Sequence, residues 1–308
     1  MNNDILVIGE ALIDVVRRPG DEPQCLPGGC AMNVAVGLGR LGYHPVLATW
    51  FADDEYGRII TDHCAESGVR FLAGSDQAKH TTTADAAIDD EGKATYTFDI
   101  EWQLPPIPED LRPGLVHTGS LGALVQPGGR DVLAYIENIR QQAFVAFDPN
   151  CRPAIMGDPA QARAVIEQYV AASDLVKVSD EDLAWLYPAI TEAQLLDQAH
   201  AWAATGPAVV VVTLGQHGSL AITRTHKEVR VPANTTGPLA DTVGAGDSFM
   251  AGLIHGLAQS DYDFAEAKTR FGQDLAELTA ILTQAATIAG ITVSRAGANP
   301  PWAYELGY

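Results

Sequence analysis

The chain has 308 residues, 47% of them hydrophobic, which allows one large α/β domain or two small ones and argues against general disorder. Lysine and arginine number 19 against 39 aspartates and glutamates, a formal net charge of −20. Such a surface repels nucleic acid and anionic membrane, so a phosphate-bearing ligand must be held by local N–H groups and cations against the overall field.

Met1 to Asp4 carry no basic region and precede no long apolar run, so the reading gives no signal peptide and no membrane span. Cys25, Cys30, Cys64 and Cys151 are irregularly spaced without metal-type pairing, which points to free thiols and a cytoplasmic setting.

Taken in order, Ile5 to Ile8 reads as a buried strand ending at Gly9, and Ala11 to Val16 as a second strand carrying Asp14. A helix follows Gly28-Gly29, with Ala31, Val34, Ala35, Leu38 and Leu41 on one face and Gly42 as its stop. Gly37, Gly39 and Gly42 fit G-x-G-x-x-G, but they close a helix where a dinucleotide fingerprint must open one. Pro45 to Phe51 reads as a strand, Tyr56 to Ser67 as a helix, and Val69 to Ala73 as a strand. Thr81 to Ile88 and Ala94 to Phe98 alternate around Asp89-Asp-Glu-Gly92, a hairpin signature that interrupts the βα rhythm. Pro105, Pro106 and Pro108 mark the return. Strands at Leu115–His117, Phe144–Phe147, Leu175–Val178 and Ala208–Thr213 then alternate with helices over Asp131–Gln141 and Gln161–Val170 and around Leu183 and Leu195. Ser219–Thr223 and Glu228–Val231 form a second hairpin, and one long last helix carries Phe264, Phe271, Leu275, Leu278, Leu282, Ala285 and Ala289. The alternation predicts a mostly parallel sheet covered on both faces.

The most informative stretch is Asp241-Thr-Val-Gly-Ala-Gly-Asp247-Ser-Phe-Met-Ala-Gly252. Ala245, Phe249, Leu253 and Leu257 recur at helical spacing, so a helix opens within the glycines and offers bare N–H groups and a positive dipole end to an anion. A carboxylate beside a phosphate site needs a task, such as taking a proton from an attacking hydroxyl. The bland alternative is a glycine-rich turn with Asp247 as the helix cap. Asp148-Pro-Asn150-Cys-Arg152, Lys177-Val-Ser179-Asp-Glu-Asp182 and Thr213-Leu-Gly215-Gln-His-Gly218 all follow or end predicted strands, where parallel sheets place ligands. There is no Walker-type G-x-x-x-x-G-K-[ST] and no protein-kinase motif set.

Gly28-Gly-Cys-Ala-Met-Asn33 with Gly42, and Asp241 to Asp247 with Gly252, closely resemble the two signatures of the ribokinase-like, or phosphofructokinase-B type, carbohydrate kinases, and within them the fructokinase-like branch. The resemblance runs from Gly9-Glu10 to Asn299. It implies a single three-layer α/β/α domain over residues 1–308, with a mostly parallel sheet and a small β-sheet lid from about 11–27 and 81–102. It implies ATP and Mg²⁺ as cofactors, with K⁺ as an open addition, and a sugar as the other small-molecule partner. Pairing of two copies through the lid also stays open.

By the same resemblance Asp247 is the catalytic base, and Gly244, Ala245 and Gly246 supply N–H groups to the transferred phosphoryl. Asp14, Gly28, Gly29 and Asn33 bind sugar hydroxyls, and Arg152 contacts substrate or phosphate unless it forms an ordinary ion pair. Lys177, Ser179, Thr213, Gly215 and Gly218 line the nucleotide, with Ala285 and Ala289 at the adenine. Ser179 and Asp182 stand where the family commonly has Asn-x-x-Glu, which leaves Asp182 to meet Mg²⁺ through water. Asp241, Val243, Thr292, Arg295 and Gly297 match a monovalent-cation loop. Phe98, Trp102 and His117 are candidates for setting sugar specificity.

The expected activity is transfer of the γ-phosphoryl of ATP to fructose. The alternatives are ribose, a nucleoside or 2-keto-3-deoxygluconate as acceptor, or a catalytically silent sugar-binding homologue. The lid is expected to close over the sugar and exclude water. A nicotinamide oxidoreductase is rejected because residues 5 to 20 supply only Gly9 and Gly20 toward its fingerprint.

Overall fold

The apolar runs of the sequence become the middle of a large sheet because both of its faces are covered, so successive side chains can all be apolar. The computed structural model describes residues 4–88, 94–234 and 237–307; the expected turn at Asp89-Asp-Glu-Gly92 lies outside them. In chain order, β1 (Ile5–Ile8) enters the large sheet, while β2 (Leu12–Arg17) and β3 (Gln24–Gly28) leave for a second one. Next come α1 (Cys30–Arg40), β4 (Val46–Ala48), α2 (Glu55–Glu66) and β5 (Arg70–Phe71), then β6 (Thr83–Ile88) and β7 (Ala94–Asp99) of the second sheet. The chain continues through β8 (Leu115–Gly119), α3 (Ser120–Leu124), α4 (Gly128–Ile139), β9 (Phe144–Asp148), α5 (Pro153–Met156) and α6 (Pro159–Ala172). After these come β10 (Leu175–Ser179), α7 (Asp180–Leu186), α8 (Glu192–Ala203), β11 (Val209–Thr213), β12 (Ser219–Thr223) and β13 (Glu228–Val231). The helices α9 (Ala245–Ala258), α10 (Phe264–Arg270) and α11 (Leu275–Val293) come last.

Among the described residues the large sheet has nine strands in the order β13-β12-β11-β10-β9-β8-β1-β4-β5, and the small one four in the order β3-β2-β6-β7. The run β11-β10-β9-β8-β1-β4-β5 is parallel; β12 turns back against β11, and β13 pairs antiparallel with β12 and so runs with the parallel strands again. Along β11, Val209 and Val211 enter the core shared with α1, α9, α10 and α11, whereas Val210 and Val212 enter the one shared with α4, α6, α7 and α8. These are the two helical layers that the βα rhythm requires.

Several expectations need correction. The single last helix is two helices, because Gly272 takes φ +78° and Asp274 then caps a new start through the Ala276 and Glu277 N–H groups. The strands expected over Pro45–Phe51 and Val69–Ala73 shrink to β4 and β5, and the short helices α3 and α5 were not expected. Strand β3 was also unexpected: it contains Pro27, which an edge strand tolerates, and among the described residues it pairs only with β2. Of the glycines in the G-x-G-x-x-G lookalike, Gly37 and Gly39 are packing positions, where a methyl would sit 2.9 Å from the Ala251 methyl of α9 and against the Ser67 carbonyl, while Gly42 takes φ +95° in open space as the stop of α1. Among the described residues, α11 alone is long and apolar enough to cross a membrane. Here it packs along α9, with Ala285 against Gly252, so its apolar character belongs to a core helix.

Candidate active site

Five parallel strands, β1, β8, β9, β10 and β11, end along one edge of the sheet, and the chemistry-bearing side chains follow those ends. The start of α9 faces the same place. Its N-cap is Gly244 at φ +75°, a left-handed position where a side chain would also collide with Ala298. No side chain caps α9, so the helix-cap reading of Asp247 does not hold. The buried Asp247 carboxylate instead accepts from Asn33 Nδ2 at 2.8 Å, Cys30 Sγ at 3.0 Å and Asn150 Nδ2 at 3.2 Å. Asn33, expected to bind sugar, thus already holds the carboxylate that would act on it.

Of the three expected N–H donors, Ala245 is committed to the Thr242 carbonyl at 3.2 Å. That is a correction: a turn closes there before the helix begins. Among the described residues, the Gly244 and Gly246 N–H groups have no backbone acceptor and remain for an anion.

Directly beneath the glycines lies a buried ion pair. Lys177 Nζ sits 2.9 Å from Asp148 Oδ2, and a methyl on Gly246 would approach the same ammonium to 3.1 Å. Burial pushes the Asp148 carboxyl up to about 6, with Lys177 opposing the shift. Burial works against the Lys177 ammonium too, but the Asp148 charge more than restores it and holds its pKa above the ordinary value. The ammonium is the ion-pair partner of Asp148 Oδ2 in this buried setting. Lys177, expected to line the nucleotide, is therefore first of all the counter-ion of Asp148.

Glu10, between β1 and the small sheet, accepts from the Cys30 N–H at 2.9 Å and the Gly122 N–H at 3.0 Å. Its carboxylate thereby fixes the start of α1 against α3. Burial raises its pKa to about 7, and the N–H bonds only partly offset this. A raised carboxyl contributes stability below its ordinary pKa and loses it as pH rises through the folded value. That window runs here from 4.5 to about 7. Glu10→Gln sets an amide NH₂ against one buried N–H and should cost about 1–3 kcal/mol. The Tm gap between wild type and Glu10→Gln should narrow across that window and stay flat above it. A gap independent of pH would show that Glu10 does not titrate there.

The remaining expected residues divide. Asp14 on β2 is half-buried; burial raises its carboxyl while the Arg152 charge pulls it back. Gly28 lies so close to Asp14 that any side chain would overlap its carboxylate, and a methyl on Gly29 would meet the Glu10 carbonyl at 2.6 Å. Arg152 donates to Asn150 Oδ1 at 2.6 Å and makes no ion pair by distance among the described residues. Asp182 spends both oxygens on backbone, accepting from Cys151 N–H at 2.8 Å and Ser179 N–H at 3.3 Å, and Ser179 returns the capping bond to α7. Thr213 pairs in register with Ser179, and Gly215 and Gly218 form the turn after it. Ala285 is fully buried against α9 and does not face a ligand; Ala289 is half-buried against the same core.

In the expected cation loop, Asp241 accepts from Val243 N–H at 3.1 Å and Gly297 N–H at 2.9 Å, and these bonds hold its carboxyl below the usual range. The Thr292 side chain turns inward to Ser248 and the Ile288 carbonyl. The Arg295 guanidinium pairs with Glu305 at 2.6 Å, so it supplies no charge to Asp241.

Two of the three specificity candidates are structural: His117 is fully buried in β8, and Trp102 is buried with Nε1 donating to the Gly122 carbonyl. Phe98 stacks on Tyr96 in the small sheet. Glu10, Cys30, Asp148 and Asn150 were not assigned as site residues; a polar residue after each buried strand was the available signal for Glu10, Asp148 and Asn150. A cavity of about 690 Å³ lined by Gly256, Gln259, Glu277 and Gln284 lies at the far end of α9. Gly256 is nine residues beyond Asp247, about 13 Å along the helix, so this cavity is remote from the chemistry.

The geometry of an acid, bare helix N–H groups and a lysine–aspartate pair at strand ends agrees with the known proteins this chain is similar to. The model of the pfkB family carbohydrate kinases matches residues 2–303. The chain belongs to the pfkB family of carbohydrate kinases. It is 32% identical over 268 residues to a fructokinase from Klebsiella pneumoniae, covering 84% of this chain and 85% of that one. The aminoimidazole riboside kinase of Salmonella enterica, solved with aminoimidazole riboside and an ATP analogue, superposes with a TM-score of 0.78 at 25% identity, over 96% of this chain and 95% of that one. A double mutant of the Vibrio cholerae fructokinase, solved with fructose, ADP and potassium, gives a TM-score of 0.79 at 23% identity over 96% and 94% of the two chains, a likeness of fold alone. The pfkB kinase is thus a sugar phosphotransferase with the ribokinase-like fold.

Proposed function

We propose that this kinase transfers the γ-phosphoryl group of ATP to a hydroxyl of fructose. The supporting observation is Asp247, held by Asn33, Cys30 and Asn150 at the start of α9 beside the Gly244 and Gly246 N–H groups. That arrangement puts a proton acceptor next to an anion site, as in-line transfer to a hydroxyl needs. Fructose is favoured over other sugars by the fructokinases among the relatives. The riboside kinase is the second reading, favoured by its superposition over nearly the whole chain.

Sugar lies between the small sheet and Asp247, near Asp14, Gly29, Asn33 and Arg152, and the small sheet acts as the lid of this single domain. ATP lies across Lys177, Ser179, Thr213, Gly215 and Gly218. Ser179 and Asp182 offer only oxygen donors, and Asp182 is already bonded to backbone, so they fit a Mg²⁺ that keeps its water shell. When bound with ATP, that ion offsets charge on the phosphoryl oxygens. Two copies pair through the small sheet, where Leu26 and Tyr96 are exposed on the face that also carries Asp14, and the protein works in the cytoplasm.

A panel of fructose, ribose, a riboside and 2-keto-3-deoxygluconate with ATP, read by ADP release, tests the substrate. Fructose should give the highest kcat/KM; a riboside preference would replace this reading with the second, and no stimulation by any sugar would end both.

A monovalent cation at the Asp241 loop is part of the proposal. Asp241 ties residue 243 to residue 297 just before the helix entry, so an ion there would steady the N–H groups. Exchanging K⁺ for a large organic cation should lower the rate without raising the KM for sugar. Indifference to the cation would leave the loop purely structural.

A further inference from the structure

Three ligand-type atoms meet in the floor of the site: Cys30 Sγ, a carboxylate oxygen of Asp148 and one of Asp247 lie within 4.8 Å of one another, and all three residues are buried. In tetrahedral coordination with arms of about 2.0–2.3 Å, ligand atoms stand roughly 3.5 Å apart. Cys30 Sγ and Asp247 Oδ1 are 3.0 Å apart and an Asp148 oxygen lies within 4.8 Å of both, so shifts of about an ångström bring the three to such corners. Asp148 Oδ2 is buried beside the Lys177 ammonium, 2.9 Å away, so a cation at this site shares that carboxylate with the lysine.

We propose that Cys30, Asp148 and Asp247 form a binding site for a soft divalent cation of the zinc class, and that its occupation silences the kinase. The inference rests on the reading of Asp247 as the proton acceptor, since the ion would occupy the lone pairs that acceptor needs.

The donor set selects the ion. A thiolate with two carboxylates suits Zn²⁺ or Cd²⁺, whereas Mg²⁺ demands near-octahedral oxygen and keeps its waters. Binding exchanges the thiol proton for the metal, releasing one H⁺ and forming one S–metal bond with no redox change. The three ligands then carry three negative charges, and Lys177, 2.9 Å from Asp148, offsets one of them. A dication neutralises the remainder. Asn150 Nδ2 donates to Cys30 Sγ at 2.9 Å and to Asp247 Oδ1 at 3.2 Å, which supports charge on both ligands and holds them in place.

Cadmium titration of the purified full-length protein, without ATP or sugar, reads the site directly through the ultraviolet thiolate-to-metal absorption. One equivalent should produce the band in wild type and in Cys151→Ala, and Mg²⁺ should produce none. Cys30→Ala and Cys30→Ser should lose the band while keeping a cooperative thermal unfolding transition; the serine variant retains a hydroxyl toward Asp247. In turnover assays with Mg²⁺ in excess, Zn²⁺ should inhibit wild type at concentrations about tenfold or more below those needed for either Cys30 variant, each compared with its own metal-free rate. No band in wild type, or a band that persists in a folded Cys30→Ala, overturns the site. Because the band needs no turnover, its presence in a protein without fructose kinase activity would leave the site standing and refute only the substrate.

Discussion

Asp247→Asn should lower kcat by roughly 10²–10⁴-fold, the usual worth of general-base catalysis, while sugar binding is largely retained. A sugar hydroxyl is a poor nucleophile, and its proton must leave as the bond to phosphorus forms. Asp247 is placed to orient the hydroxyl and take that proton in the transition state, while the Gly244 and Gly246 N–H groups stabilise the phosphoryl oxygens. Asparagine keeps the size but has one oxygen where aspartate has two. Its NH₂ then confronts either the Asn33 amide or the Cys30 and Asn150 donors, a mismatch costing about 1–3 kcal/mol unless Asn33 turns over. Tm should therefore fall modestly and kcat steeply. A modest fall in both would mean that the carboxylate only organises its neighbours.

Lys177→Met should destabilise the fold by about 3–5 kcal/mol, because it leaves the Asp148 carboxylate buried without its counter-ion. The loss should depend on pH. Asp148 already titrates at about 6 instead of 3.8, so by the linkage rule its contribution is present below 3.8 and is lost as pH rises through about 6. In wild type the Lys177 charge limits that loss. Without it the carboxyl moves higher still, so the Tm gap between wild type and variant should be wide at about pH 8 and should shrink toward about pH 5, where Asp148 is neutral. The same variant should bind ATP more weakly, since the ammonium also lies under Gly246. A Tm gap constant across that range would show that Asp148 finds another partner when the lysine is gone.

Much of this was legible because the large sheet is covered on both faces. Val209 to Val212 is an uninterrupted β-branched run for that reason, and the polar residues just beyond such runs fall at one edge of the sheet. The start of α9 was legible too, since glycine followed by helical periodicity has few other uses. What the sequence hid depends on contacts between distant segments. Cys30 and Asp247 are 217 positions apart, and nothing near Cys30 in the chain marks it as the neighbour of a carboxylate. Asp182 reads in the sequence as meeting Mg²⁺ through water; that the Cys151 and Ser179 N–H groups engage both its oxygens was not legible. The break between α10 and α11 was masked because Phe264, Phe271 and Leu275 keep helical spacing across it; the telling residues were Gly272 and Asp274. Ala285 fitted a ligand pocket by position along its helix, yet the close approach of Gly252 turned that face inward.

The most direct test of the account is sugar-dependent ADP release, measured on wild type and Asp247→Asn with ATP, Mg²⁺ and saturating fructose, alongside the melting temperature of each. The account predicts that fructose raises the wild-type rate well above the sugar-free rate and that the folded variant loses nearly all of that increment. A folded Asp247→Asn protein turning over at the wild-type rate would contradict it.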